Sequence, residues 1–130
     1  MPNREEINVC AETLALATQS GATTAQTSAA LDVQGYDTAH FGIAIGTTIG
    51  SAVSYKITEC DTIGGSYTDV AAAQMVGAGL TAAANSTIRV AYVGTKRYIK
   101  CVVTPTGATD ITITAHRGMP SAMPPANPAV

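Results

Sequence analysis

Apolar and polar residues alternate along several segments of this chain, and no other pattern in it restricts the fold as strongly. In STIRVAYV, the residues Ile88, Val90 and Tyr92 fall on one side of the backbone. In DITITAH, Ile111 and Ile113 alternate with threonines in the same way. Alternation of β-branched and aromatic residues is typical of strands with one buried and one solvated face. The pattern therefore predicts a chain built from β-strands.

Turn residues separate these segments at short intervals, which favours antiparallel pairing. Gly94 lies between STIRVAYV and RYIKCVVT, so these two segments are predicted to form a hairpin. Gly64 and Gly65 are interpreted as hairpin residues that permit positive φ. Strands at this spacing, about eight in all, predict an all-β fold. The expected architecture is an antiparallel β-sandwich, jelly-roll-like or immunoglobulin-like, or a closely related barrel.

The two ends of the chain differ from its middle. NREE carries three charges in four residues, and PSAMPPANPAV contains four prolines. Proline at this density excludes helix and interior strand and leaves an extended arm. We predict an N-terminal arm at 1–8, a sandwich domain at 9–117 and a Pro-rich C-terminal arm at 118–130. The stretch 69–85 is the only candidate for a helix, and its glycines favour a loop instead.

Length and charge exclude several classes of protein. A chain of 130 residues holds one domain with a modest core. Its net charge of −2 argues against a general nucleic-acid binder. No stretch approaches the roughly 20 apolar residues of a membrane helix, and the start MPNREEINVC lacks the features of a signal peptide. We expect synthesis in a cytoplasm, with neither nucleic acid nor membrane as a partner.

The three cysteines are predicted to be unpaired structural thiols. Cys10, Cys60 and Cys101 form no C-x-x-C pair, and their number is odd. Cys101 alternates onto the apolar side of its strand with Ile99 and Val103, where a free cysteine behaves as a small hydrophobic residue.

Residues that could carry catalysis or bind a metal are few. His40 and His116 lie far apart in the sequence and have no partners at a recognisable ligand spacing, so hydrogen-bonded or surface histidines are the favoured interpretation. Glu59, Asp61 and Asp69 surround a Gly-Gly turn and supply oxygen atoms suited to calcium. Their spacing lacks the regularity of a calcium-binding loop. The sequence predicts neither an enzyme nor a cofactor.

Cations are concentrated in one part of the chain, at Arg89, Lys96, Arg97 and Lys100. If the predicted hairpin forms, Arg89 and Lys100 point outward from neighbouring strands and make one cationic patch. Base stacking on nearby tyrosines is one use for such a patch, and a solvated strand face is another. The favoured use is contact with acidic residues of another subunit. The acidic candidates all lie in the first third of the chain: Glu5, Glu6, Glu12, Asp32 and Asp37.

Two stretches resemble small structural proteins of tailed bacteriophages. They are SYKITECDTIGGSYTDVAAAQMVG and IRVAYVGTKRYIKCVVTPTGATDITITAHRGMPSAMP. The shared pattern is a D-x-x-G-G-S-[YF]-T-D-V hairpin, a YVG-KRY hairpin, a VTPTG turn and a Pro-rich tail. It covers about residues 30 to 124. Cys60 and the HRGMPSAMP ending depart from the pattern. The family comprises minor capsid, decoration and head-stabilising proteins.

The resemblance implies a non-enzymatic virion protein that decorates or cements a capsid. Its expected partners are the phage major capsid protein and sister copies, as a dimer or trimer on the capsid exterior. Met119 and Met123 in the C-terminal arm are expected to bury apolar surface on a neighbour, and the cations to set its orientation. Changing Lys96 and Arg97 to Glu is expected to weaken docking without loss of thermal stability. The alternatives are a carbohydrate-binding module for the host surface and a head–tail connector or tail accessory protein.

Overall fold

The computed structural model describes residues 10–48, 53–76 and 81–120, which form eleven strands and one short 3₁₀ helix. Six strands are long: β1 (Cys10–Ala22), β4 (Tyr36–Thr48), β5 (Val53–Cys60), β9 (Ser86–Tyr92), β10 (Tyr98–Thr104) and β11 (Thr109–Pro120). Five have two residues each: β2 (Gln26–Thr27), β3 (Leu31–Asp32), β6 (Thr68–Asp69), β7 (Met75–Val76) and β8 (Thr81–Ala82). The 3₁₀ helix spans Ala72–Gln74. No helix in this described part of the chain has the length and apolarity needed to cross a membrane.

The strands form two antiparallel sheets. Sheet A has the order β1-β11-β4-β9-β7. Sheet B has the order β2-β10-β5-β6, with β3 also paired to β10 and β8 to β5. The prediction of an all-β sandwich is confirmed. The number of strands exceeds eight because two-residue strands are too short to show alternation in the sequence.

The core lies between the sheets and is formed by the alternating residues of both. Ile99, Cys101 and Val103 of β10 are fully buried, as the period of two predicts. Each large apolar side chain buried in this way contributes roughly 1.5–3 kcal/mol relative to an exposed one. Sheet A contributes Phe41, Ile43, Ile111 and Ile113, and sheet B contributes Val53 and Ile57. The alternation in the sequence thus identifies the core side of each long strand.

The predicted hairpin between β9 and β10 is wrong. β9 pairs with β4 and β7 in sheet A, whereas β10 pairs with β2, β3 and β5 in sheet B. The connection 93–97 therefore crosses from one sheet to the other. Both strands direct their apolar side toward the same core from opposite sides. A hairpin and a sheet-to-sheet crossing consequently have the same alternating pattern.

The glycine pair in loop 61–67, between β5 and β6, does not have the predicted positive φ. Among described residues, only Asn85, Gly21 and Gly35 adopt it. Gly65 is instead required by close packing, because a Cβ there would lie 2.6 Å from Cys60 Sγ and closer still to Thr62 Oγ1. Thr58 and Asp69 nevertheless pair across the two strands, so a hairpin with a long loop does form.

The predicted arms lie mostly outside the described residues. β11 continues to Pro120, which pairs with Tyr36, so 118–120 belong to sheet A and not to the arm. The N-terminal arm 1–8 and the rest of the C-terminal arm are not described. Within 69–85, the described residues contain the end of β6, the 3₁₀ helix, β7, β8 and the turn at 84–85, whereas Gly77 and Gly79, which favoured a loop, lie outside the described residues.

Candidate functional site

One end of the sandwich brings together most of the segments singled out in the sequence. The connection 93–97, the loop 61–67 and the turn 33–35 meet there. Lys96 Nζ donates to Asp61 Oδ2 at 2.8 Å, and Val33 N donates to the Arg97 carbonyl oxygen at 2.9 Å. β1 begins and β11 ends at the same end, since Cys10 pairs with Gly118. We call this region the arm end, because β1 and β11, the first and last described strands, adjoin the predicted arms there.

Tyr92 anchors the connection at the arm end. Its ring is buried, and its hydroxyl donates to Glu59 Oε2 and accepts the Lys96 N–H at 2.9 Å. Burial and the hydrogen bond to Glu59 together raise the pKa of Tyr92 to about 12. Gly94 is needed beneath this ring, because a Cβ there would overlap the phenol. The two sheets are thus joined by a tyrosine of sheet A bonded to a carboxylate of sheet B.

Asp32 organises the other half of the arm end. Arg97 binds its carboxylate with two hydrogen bonds, Nε to Oδ1 at 3.1 Å and Nη2 to Oδ2 at 2.9 Å. The Arg97 hydrogen bond is the main reason that the pKa of Asp32 lies below its usual value. Arg117 Nη1 donates to the Asp32 carbonyl oxygen at 3.1 Å, and its guanidinium lies 4.7 Å from the Tyr36 ring. Arg117 was not identified from the sequence, although it continues the alternation of the buried residues Ile111, Ile113 and Ala115 and is therefore a charged residue on the core side of its strand.

The charges of the arm end compensate one another. Three carboxylates, Asp32, Glu59 and Asp61, lie among three cations, Lys96, Arg97 and Arg117. Bonding to Asp61 raises the pKa of Lys96, and bonding to Asp32 raises that of Arg97. The acidic partners of Lys96 and Arg97 are therefore in the same chain.

The four predicted cations do not form one patch. Arg89 points outward from sheet A, and Lys100 points outward from sheet B, so the body of the sandwich separates them. Lys100 Nζ lies 4.2 Å from the centre of the Tyr67 ring. The single patch required the β9–β10 hairpin that does not exist.

The predicted acidic residues are dispersed as well. Two of the predicted acidic residues, Glu5 and Glu6, lie outside the described residues. Of the two methionines predicted to contact a neighbour, Met123 also lies outside them, and Met119 is placed only as a backbone position within β11. Asp69 Oδ1 binds Lys56 Nζ at 2.9 Å, while Asp61 and Glu59 bind the residues named above. The three carboxylates considered for calcium are thus directed to separate partners in the chain.

A row of ionisable residues crosses the outer face of sheet A. Glu12, His116 and His40 are direct neighbours on β1, β11 and β4. The two imidazole rings stack at 4.6 Å between centroids, with 12° between their planes. Glu12 Oε1 lies 3.6 Å from His116 Nε2. Burial, together with the nearby His116 and Arg89, lowers the pKa of His40. We call Glu12, His116 and His40 the histidine row.

The contact between His40 and His116 could not be predicted from the sequence. His40 and His116 each follow the alternation of their own strand, but only the register of β4 against β11 puts them side by side. The rings face each other instead of converging on one point. Their arrangement agrees with the interpretation as surface or hydrogen-bonded histidines, since His116 Nε2 lies 3.2 Å from Thr114 Oγ1.

The two cysteines whose side chains are described are free. Cys101 is fully buried, and burial raises the pKa of its thiol to about 12. Cys60 is half-buried beside Thr62. Both agree with the prediction of unpaired thiols.

Exposed apolar side chains also mark the arm end. Four large hydrophobic residues of the described chain are exposed: Leu14, Ile63, Val76 and Val93. Ile63 and Val93, at 63% and 57% exposure, lie in the loop and the connection joined by Lys96 and Asp61. Arg117 Nε, at the same end, is buried without a hydrogen-bond partner among described residues.

The fold is similar to that of a solved prophage protein. No protein-family model and no curated protein matches the chain. The solved structure of SPBc2 prophage-derived protein YomS aligns with a TM-score of 0.54 at 14% sequence identity. The alignment covers 85% of this chain and 93% of that one. At this identity the similarity establishes a shared fold.

Proposed function

We propose that this chain is a non-enzymatic virion structural protein that decorates or cements a tailed-phage capsid. It binds the major capsid protein and sister copies on the capsid exterior after synthesis in the host bacterial cytoplasm. The observation that carries the proposal is the arm end, where Ile63 and Val93 are exposed at the same end of the sandwich as the Cys10–Gly118 pair of β1 and β11. The phage resemblance of the sequence and the fold shared with a prophage-derived protein support it.

The chemistry of the arm end suits docking on a protein surface. Because its ion pairs are already formed, the charged groups are held in place and lose little side-chain entropy on contact. The apolar atoms of Ile63 and Val93 then supply the hydrophobic part of the interface. Modest contacts of this kind become strong when a symmetric shell repeats them.

Cosedimentation with empty capsid shells tests the proposal. We expect the parent protein to pellet with shells and Ile63→Asp together with Val93→Asp to abolish pelleting, since buried charge without a partner is costly. Thr87→Asp is the matched control, because Thr87 is exposed on sheet A at the opposite end, where it pairs with Ala44. Deletion of 121–130 is expected to weaken pelleting too. This deletion leaves β11 complete.

Three results would count against the proposal. The first is a parent protein that stays in the supernatant. The second is an Ile63→Asp, Val93→Asp variant that pellets with shells as the parent does. The third is a Thr87→Asp control that loses pelleting to the same extent as the double variant. Binding to purified tails or connectors in place of shells would favour the tail accessory alternative, and binding on a glycan array would favour the carbohydrate module.

A further inference from the structure

The outer face of sheet A carries a group of polar side chains around Gly42. This glycine of β4 pairs with Arg89 of β9 on one side and with Thr114 of β11 on the other. His40 and His116 pair with each other two residues further along the same strands. Because every second residue of a strand points to the same face, these four side chains lie on one face around Gly42. We call Arg89, His40, His116 and Thr114 the Gly42 cluster.

The lack of a side chain at Gly42 brings polar atoms close to the backbone. A Cβ there would lie 2.8 Å from Thr114 Oγ1 and 3.6 Å from His116 Nε2. Glycine inside a strand often marks a place where another group approaches the backbone closely. The face of the sheet therefore has a gap at Gly42. A hydroxyl and an imidazole border this gap on the β11 side, and Arg89 borders it on the β9 side.

Arg89 is exposed and has no ion pair or hydrogen bond with any part of the chain that the structure describes. His40 forms no hydrogen bond there either, and its ring contact is the stacked His116. The other described lysines and arginines each contact a carboxylate, a carbonyl oxygen or an aromatic ring: Lys56, Lys96, Arg97, Lys100 and Arg117. The Gly42 cluster is therefore the place where positive groups gather without a described counter-charge between them.

Two carboxylates border the Gly42 cluster from outside. Glu12 approaches His116 from β1, with 3.6 Å between Oε1 and Nε2. Asp37 lines a cavity of about 290 Å³ together with His40, and Arg89 does not line this cavity. Burial, followed by the charges of His116 and Arg89, lowers the pKa of His40. Positive groups held together in this way attract an anion.

We propose that the Gly42 cluster is a binding site for a phosphate group, held over Gly42 by Arg89, His40 and His116. The guanidinium donates two parallel hydrogen bonds to phosphate oxygens, and the imidazolium N–H groups donate to the others. The donors come from three strands, which suits a tetrahedral oxyanion better than a planar carboxylate. This site goes beyond the proposed function and does not depend on it.

Calorimetric titration of the full chain with inorganic phosphate and with glycerol phosphate tests the site. We expect saturable binding of phosphate, and we expect Arg89→Gln to weaken it by about tenfold because a charge-assisted bidentate contact is lost. Lys56→Gln is the matched control, since it removes the same charge from the outward face of sheet B and should leave binding unchanged. Binding of both compounds supports a site for phosphate groups of larger ligands, and binding of inorganic phosphate alone supports a site for the free ion.

Sulfate gives a second readout, because its charge stays constant between pH 7.5 and pH 5.5. We expect sulfate to bind more tightly at pH 5.5, where protonation of His40 and His116 adds positive charge, and His40→Gln to reduce this difference. A purely structural role of His40 would leave the difference unchanged. The site is overturned if neither anion binds saturably, if Arg89→Gln binds phosphate as the parent does, or if Lys56→Gln weakens binding equally. Cosedimentation with shells is a separate measurement, so failure of this site and failure of the proposed function are distinguishable.

Discussion

The arm end and the histidine row hold ionisable groups in opposite ways. At the arm end Lys96 and Arg97 lie against carboxylates, and Arg117 lies against a carbonyl oxygen. In the histidine row two groups of the same type stack on each other, and Arg89 adds a further positive charge nearby. Opposite charges in contact keep their ionisation over a wide pH range, whereas like groups in contact oppose protonation. The ion pairs of the arm end are therefore electrostatically fixed, whereas His40 is responsive to pH.

The largest loss of stability is expected from removing the Tyr92 hydroxyl. Tyr92→Phe leaves Glu59 and the Lys96 N–H without their shared partner, which should lower the free energy of unfolding by about 1–3 kcal/mol. Tyr98→Phe is the matched control, because its ring stays beneath Arg97 and its hydroxyl contributes no hydrogen bond described here. Urea denaturation of both variants measures the difference, and equal stabilities would show that Tyr92 does not anchor the arm end.

The same tyrosine predicts a loss of stability in alkali. Its pKa rises from an ordinary 10 to about 12, so the folded state retains a proton that the unfolded state releases. The resulting stabilisation is complete below pH 10 and is lost as the pH rises toward 12. Tyr92→Phe should be less sensitive to pH across this window in thermal melts. Parallel curves for parent and variant would contradict the assignment.

A smaller effect is expected from Arg97→Glu. The variant loses a bidentate pair and sets Glu against Asp32, which should lower the free energy of unfolding by less than Tyr92→Phe does, because both groups are partly exposed. The Arg97–Asp32 pair therefore leads us to expect a loss where the sequence alone predicted that Lys96 and Arg97 could become Glu without loss of thermal stability. Adding Asp32→Arg should restore part of the loss, which a double-mutant cycle measures. Strict additivity of the two changes would show that the pair is not coupled.

The smallest change in stability is expected from His40 of the histidine row when the pH is lowered. The lowered pKa of His40 means that the unfolded state binds its proton more readily, so the parent loses stability as the pH falls below about 6.5. His40→Gln should flatten this dependence. Arg89→Gln should reduce it in part, since Arg89 contributes to the lowered pKa. The measurement is the free energy of unfolding from denaturation curves between pH 7 and 5. If this free energy depends on pH in His40→Gln as it does in the parent, the prediction is contradicted.

The buried side of each strand could be predicted from the sequence, but the pairing of the strands could not. The period of two in β9, β10 and β11 was enough to predict the buried side of each strand, because side-chain direction depends only on the local backbone. It could not assign β9 and β10 to different sheets, since a hairpin and a crossing bury the same alternate residues. The single cationic patch was wrong for the same reason.

What the sequence determined by itself was therefore local: strands, their apolar sides, turns, the buried Cys101 and the all-β class. Only the tertiary structure decided which strands are neighbours, and with them the Arg97–Asp32 pair, the Tyr92 anchor and the stacked histidines. Residues 32 and 97, or 40 and 116, meet because strands distant in the chain lie in register. That register results from the packing of the whole core, to which every strand contributes, and no single segment encodes it.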